Sequence, residues 1–299
     1  MADPIQVVAV CGYESAQGAA LRHLVRPGTA VVASGRELFR TLAARPARQN
    51  VAIVPITLGR DPELVADAAR TVRALPAALR PGVAVTEPFG TVDHLVGWLR
   101  AAASTVPAEA ALLLTAPAGD PYQDAELDRV AHLVRRYGQH RLVQTALIGG
   151  EPDPAEGAWR CARLGARRIA VLSASFTGAP VPSGTEGAAV FAVDPLLSPA
   201  AIDAVLAARV TAADRLLREH GEDGVARALG AADTYGLNHS HGPGHDHHHG
   251  PGHDHHHDHG LGEGRSHSHS PHEQHTRIHA HTPPPNVRPA ASAGTRSHP

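Results

Sequence analysis

The sequence predicts an α/β protein: two similar halves with parallel sheets, followed by a disordered histidine-rich tail. Three observations predict it. First, Val51–Leu58 is apolar at nearly every position, as a strand covered on both faces must be, and Gly59-Arg60-Asp61-Pro62 then turns the chain into a helix. Second, apolar runs and helical patterns alternate through about 235 residues, which implies parallel strands joined by right-handed crossovers. Third, the composition changes after Gly236, and the remainder of the chain has too few apolar residues to build a core. The boundaries fall at 1–105, 106–236 and 237–299.

The elements run in this order. Ile5–Val10 is a strand and Gly18–Val25 a short helix. Thr29–Ser34 is a strand, and Arg36–Ala44 a helix with Leu38 and Leu42 on one side. After Val51–Leu58 comes a helix over Pro62–Leu79, whose Leu64, Val65, Ala68, Val72 and Leu75 recur at helical spacing. Val83–Thr86 is a strand and Thr91–Ala103 a helix. The pattern then restarts. Ala110–Thr115, Leu142–Ile148, Ile169–Ser175 and Ala188–Val193 are strands. Pro121–Tyr137, Pro154–Leu164 and Pro199–Glu219 are helices, with Gly138 and Gly165 placed to end the first two. Thr177–Gly187 is a Gly/Pro loop where the first half has a helix. In open sheets of this kind ligands bind beyond the carboxyl ends of the strands, so the turn Leu58–Asp61 is where chemistry is expected, and Arg168–Pro182 looks like the counterpart of that stretch in the second half. A cleft between the halves is the natural binding site.

The totals exclude several classes. A formal charge of -2 argues against a general nucleic-acid binder. No run approaches the ~20 apolar residues of a membrane span, and the N-terminus lacks a signal-peptide pattern. Two cysteines, Cys11 and Cys161, are no disulfide framework, so a reduced, cytoplasmic setting is expected. Every basic side chain is Arg. No P-loop, GxGxxG, GxSxG or CxxC pattern occurs.

The tail holds 18 of the 23 histidines and repeats GPGHDHHH without change at 242–249 and 250–257. Neutral imidazole binds Co2+, Ni2+, Cu2+ and Zn2+, and the interleaved Asp adds carboxylate. His245, His247, His248, His249, His253, His255, His256, His257 and His259 are the candidate metal ligands. A flexible chain of this kind favours capacity and quick exchange over one fixed geometry. The plainer alternative is a solubilising or pH-sensitive low-complexity tail.

Thr145–Pro182, TALIGGEPDPAEGAWRCARLGARRIAVLSASFTGAPVP, resembles the second half of sirohydrochlorin chelatases of the cobalt-inserting, CbiX type. Phe191–Val210 is similar to that family's last strand and closing helix, and Val7–Ser15, VVAVCGYES, falls where the family opens with a strand and His-Gly-Ser. The resemblance spans about residues 5–215. It implies two similar flavodoxin-like halves facing a cleft, and insertion of a divalent metal into the tetrapyrrole sirohydrochlorin. Co2+ or Ni2+ is the expected ion, with Fe2+ or Zn2+ as alternatives.

By the same resemblance, the family's first metal-binding His falls on Cys11 and a second near Asp61. Each has a plainer reading: Cys11 as a small buried apolar residue, Asp61 as the N-cap of the following helix. His94, one turn into its helix, faces either the cleft or the surface. Glu14 and Arg60 sit on loops where substrate carboxylates or an ion would arrive. His23, His132, His140 and His220 read as ordinary helix or loop residues, and Asp120, Asp153 and Asp194 as caps. The first functional reading is therefore a chelatase-like lyase with a metal-gathering tail. The second is a non-catalytic cobalt or nickel store or metallochaperone that has lost its ligand histidines. The third is an unrelated flavodoxin-like or periplasmic-binding-like module. A homodimer is left open.

Overall fold

The computed structural model describes residues 5–46, 48–183 and 185–236. The candidate metal ligands His245, His247, His248, His249, His253, His255, His256, His257 and His259 lie outside the described residues.

The fold is α/β with two four-stranded parallel sheets. The first comprises β1 (Gln6–Cys11), β2 (Ala30–Ala33), β3 (Val51–Ile56) and β4 (Val83–Val85), in the order β2-β1-β3-β4. The second comprises β5 (Ala111–Pro117), β6 (Val143–Ile148), β7 (Arg168–Ser173) and β8 (Ala189–Ala192), in the order β6-β5-β7-β8. The permutation is the same, so each sheet has one point where the chain reverses its direction of travel: between β1 and β3, and between β5 and β7. Such switch points open a crevice at the carboxyl ends.

Side chains alternate across each strand, and the apolar pattern serves both faces. Ala9 and Cys11 of β1, with Val54 and Ile56 of β3, enter a core shared with Leu112, Leu114, Leu172 and Ile202. Val8, Val10 and Ile53 point the other way, into a second core with Leu38 and Leu42 of α1 (Arg36–Ala43) and Val65 and Val72 of α2 (Pro62–Ala74). Fully buried β3 is the axis of the first half.

The helices are not confined to their own sheets. α3 (Val92–Ala103), from the first stretch, packs on α4 (Pro121–Tyr137) and β7. In return α6 (Pro199–Arg215) packs on β3, and α7 (Val225–Gly236) on α2 and β4. The last helix has no counterpart in the sequence expectations. Its lead-in runs along the edge of β4: the Val85 N–H donates to Asp223 O at 2.7 Å, and a Cβ on Gly224 would fall 2.0 Å from Val85 O. Only glycine fits there.

Local signals place most helix ends correctly. Asp61, Asp120, Asp153 and Ser198 cap α2, α4, α5 (Pro154–Arg163) and α6, each with proline in the first turn. Pro76 cuts the helix expected over Pro62–Leu79 short at Ala74. The described residues of Thr177–Gly187 contain no helix, as expected. Gly18–Val25, expected as a helix, is a run of turns instead. Its amides bond mostly three residues back, and Ala16, Gln17 and Gly18 at its start are left-handed, with φ of 49°, 54° and 91°. That conformation is incompatible with a helix start. No described helix is long and apolar enough to cross a membrane.

His140 ties the seam between the two stretches. It is buried, and its Nδ1 and Nε2 each lie 3.0 Å from a carbonyl oxygen, Ala110 O at the start of β5 and Ala103 O at the end of α3. His140→Phe keeps an aromatic ring and removes the ring nitrogens that these carbonyls approach. The expected loss is about 2–3 kcal/mol in a denaturant titration. A loss under about 0.5 kcal/mol would mean that water takes the place of the imidazole at these carbonyls.

Candidate functional site

The crevice between β1 and β3 holds a buried polar cluster. Glu14, just past β1 in a 3-10 turn, is fully buried. The Thr57 hydroxyl, just past β3, donates to Glu14 Oε2, and the Leu58 N–H donates to the same oxygen at 3.0 Å. Glu14 Oε1 has no hydrogen-bond partner. Burial pushes this carboxyl up from the usual 4.5 to about 7, against the pull of Thr57, Arg60 and the Leu58 amide. Thr57 Oγ1 also accepts from the Gly59 N–H at 2.9 Å and the Asp61 N–H at 3.1 Å. One hydroxyl thereby shapes the whole Gly-Arg-Asp turn.

Arg60 has no exposed surface. Its Nε and Nη2 donate to Gln123 O in α4, at 3.2 and 3.1 Å, and Nη2 lies 3.6 Å from Asp124 Oδ1. Its guanidinium carbon lies 5.6 Å from the centre of the Tyr13 ring, and the Tyr13 hydroxyl donates to Arg60 O at 3.2 Å. Nη1 has no hydrogen-bond partner. At this point the two stretches are locked together by a cation, not parted by a cleft.

The two positions matched to metal-binding histidines face opposite ways. Cys11 is buried in the shared core, its thiol 3.8 Å from Ala9 O and pushed up by burial to about 11. A thiol held so high is a poor thiolate ligand. Asp61 caps α2, its Oδ1 accepting from the Leu64 N–H at 3.0 Å. Its Oδ2 rests against the other side of the strand end, where a Cβ on Gly12 would come within 2.5 Å of it. Burial raises this carboxyl, with the Leu64 amide holding it down. His94 is exposed and serves in a capping box: the Thr91 N–H donates to its Nδ1 at 3.2 Å, and its ring stacks on Trp98 at 5.6 Å. Glu14, Arg60 and Asp61 are thus brought together around Thr57, while Cys11 and His94 stand apart. Among the described residues no group of three or more His, Cys, Asp or Glu is placed to hold a metal ion.

The open space lies nearby. A cleft of about 700 Å³ is lined from three carboxyl ends: the turns after β1, the Ser175–Gly178 loop after β7, and the Asp194–Pro199 segment after β8. Phe176 lines it, with its N–H donating to Glu14 O at 3.2 Å and its ring edge-on to Phe89 at 5.2 Å. Ser175 Oγ and Thr177 Oγ1 lie 2.6 Å apart on its wall. A more open hollow of about 810 Å³, near Arg80 and Asp223, sits at the amino end of β4, away from the carboxyl-end loops.

No family model and no curated protein matches the chain. Solved structures similar to it include two with chelatase descriptions. One is CbiX, the terminal enzyme of sirohaem biosynthesis in denitrifying bacteria, at 18% identity and TM-score 0.38, covering 71% of this chain and 99% of that one. The other is a multi-domain protein of Deinococcus radiodurans with structural similarity to chelatases and two additional domains. It is 16% identical at TM-score 0.38, covering 80% of this chain and 61% of that one.

Sequence reading missed Thr57 as the hub, Gln123 and Asp124 as partners of Arg60, and the cleft residues His23, Phe176 and Thr177. Asp194, expected as a cap, lines the cleft, because α6 is capped only at Ser198. No local signal marks these positions, since each acquires its role from a distant segment.

Proposed function

We propose that the folded body is a chelatase-like lyase that seats a tetrapyrrole in the cleft while a divalent ion enters the ring, and that the tail gathers that ion. The cleft at three carboxyl ends carries this reading: its volume of about 700 Å³ suits one macrocycle and its walls come from both stretches. The resemblance of Thr145–Pro182 to the sirohydrochlorin chelatases supplies the substrate, sirohydrochlorin, and Co2+ as the first ion to test. In such a reaction M2+ replaces two pyrrole N–H protons, which pass to a base or to water. His23 and Asp194 are the titratable groups on the cleft wall that can meet the ion and accept those protons.

The burial of Cys11 and Asp61 on opposite sides of the strand end favours a second reading, a cobalt or nickel store or carrier without insertion. One experiment separates them. The purified protein is incubated with sirohydrochlorin and Co2+, and the tetrapyrrole spectrum is monitored. A rate above that of the metal alone supports the lyase. No gain in rate, with several ions bound per chain, supports the store.

Removing residues 238–299 is expected to leave the far-UV spectrum of the body intact and to abolish most metal uptake below saturation. Uptake by the full chain should fall as pH drops below about 6, because a protonated imidazole cannot ligate. Undiminished uptake by the shortened chain would remove the tail from the scheme.

A further inference from the structure

The charge pattern of the cleft narrows its ligand. The chain carries 27 cationic residues, all of them Arg, yet none lines the cleft among the described residues. Its only ionisable wall groups among those residues are His23 and Asp194. The remaining wall is mostly apolar, with Ala19, Ala20 and Leu24 on one side and Phe176, Leu196 and Ile202 on the other. Arg26, one turn beyond His23, is already paired with Asp203 at 2.8 Å.

A carboxylate pushed against such a wall loses its water and gains no cation, which is unfavourable. Sirohydrochlorin bears carboxylates on every ring. Whichever edge enters first, carboxylates are buried. A macrocycle with one carboxylate-free edge avoids this: that edge slides between the alanines and Phe176, and its carboxylates stay at the mouth.

We propose that the cleft takes a flat tetrapyrrole with a carboxylate-free edge, entering that edge first, in preference to one carboxylated all round. This rests on the tetrapyrrole reading above and revises its substrate. The apolar walls bury the ring, and His23 with the Ser175 and Thr177 hydroxyls supplies the polar contacts.

The test titrates the full chain, with excess chelator, against metal-free protoporphyrin IX and against metal-free sirohydrochlorin, monitoring the main absorption band of each. Protoporphyrin IX is expected to bind at least tenfold more tightly. Ala19→Trp, at an exposed wall position, is expected to weaken it at least tenfold with the far-UV spectrum unchanged. Leu196→Arg is expected to shift the preference toward sirohydrochlorin. Sirohydrochlorin binding as tightly or more tightly overturns the proposal and leaves the tetrapyrrole reading standing. Binding of neither overturns both. Protoporphyrin affinity unchanged in Ala19→Trp places the ligand elsewhere and overturns the proposal alone.

Discussion

Glu14→Gln makes the protein more stable above neutral pH and flattens its stability between about pH 4.5 and 7. Glu14 titrates near 7 in the folded state against 4.5 ordinarily, so the folded chain holds this proton more tightly than the unfolded one. Stability from this group is therefore fully present below about 4.5 and is lost as pH rises through about 7. Above that, the ionised carboxylate sits buried with one oxygen unpartnered, at a cost of about 3 kcal/mol. Glutamine keeps an oxygen for Thr57 and Leu58 and never ionises. Urea titrations at pH 5, 6, 7 and 8 read the difference between the two proteins, which should grow toward alkaline pH and then level off. A constant difference would show that Glu14 does not change charge across this range.

Arg60→Met is expected to be the most damaging single change in the cluster, at about 3–5 kcal/mol. It removes a fully buried cation while Asp124 and Gln123 O stay in place. It also deletes a positive charge that lowers the Glu14 pKa, so the pH window of the first experiment should move upward. Pairing Arg60→Met with Asp124→Asn in a double-mutant cycle isolates the ion pair from the hydrogen bonds to Gln123 O. Independent, additive losses would show that the 3.6 Å approach carries no coupling.

On the proposed reading, these two variants bear on function through the neighbouring cleft. Phe176, on one wall of the cleft, donates its amide to Glu14 O, and the turns lining the opposite wall begin two residues after Glu14. The cluster therefore positions the walls without touching a ligand. Loss of Arg60 should weaken tetrapyrrole binding in proportion to stability, whereas Ala19→Trp should weaken binding alone.

The sequence by itself determined whatever depends on neighbours within a few positions. Continuous apolar runs such as Val51–Ile56 could only be strands covered on both faces. Asp-Pro and Ser-Pro pairs opened four helices because a short polar side chain satisfies free amides and proline is pre-set for the first turn. The helix-free loop after β7 came from its Gly and Pro content. The tertiary structure alone decided what joins remote segments: Arg60 reaching Gln123 across 63 residues, His140 bridging Ala103 and Ala110, and α7 lying on α2. It also turned Cys11 into the core while Asp61 went to the opposite side, and it left Arg out of the cleft wall. Periodicity records which face of an element is apolar. Which other element that face meets is settled by packing, and no spacing within a single segment encodes it.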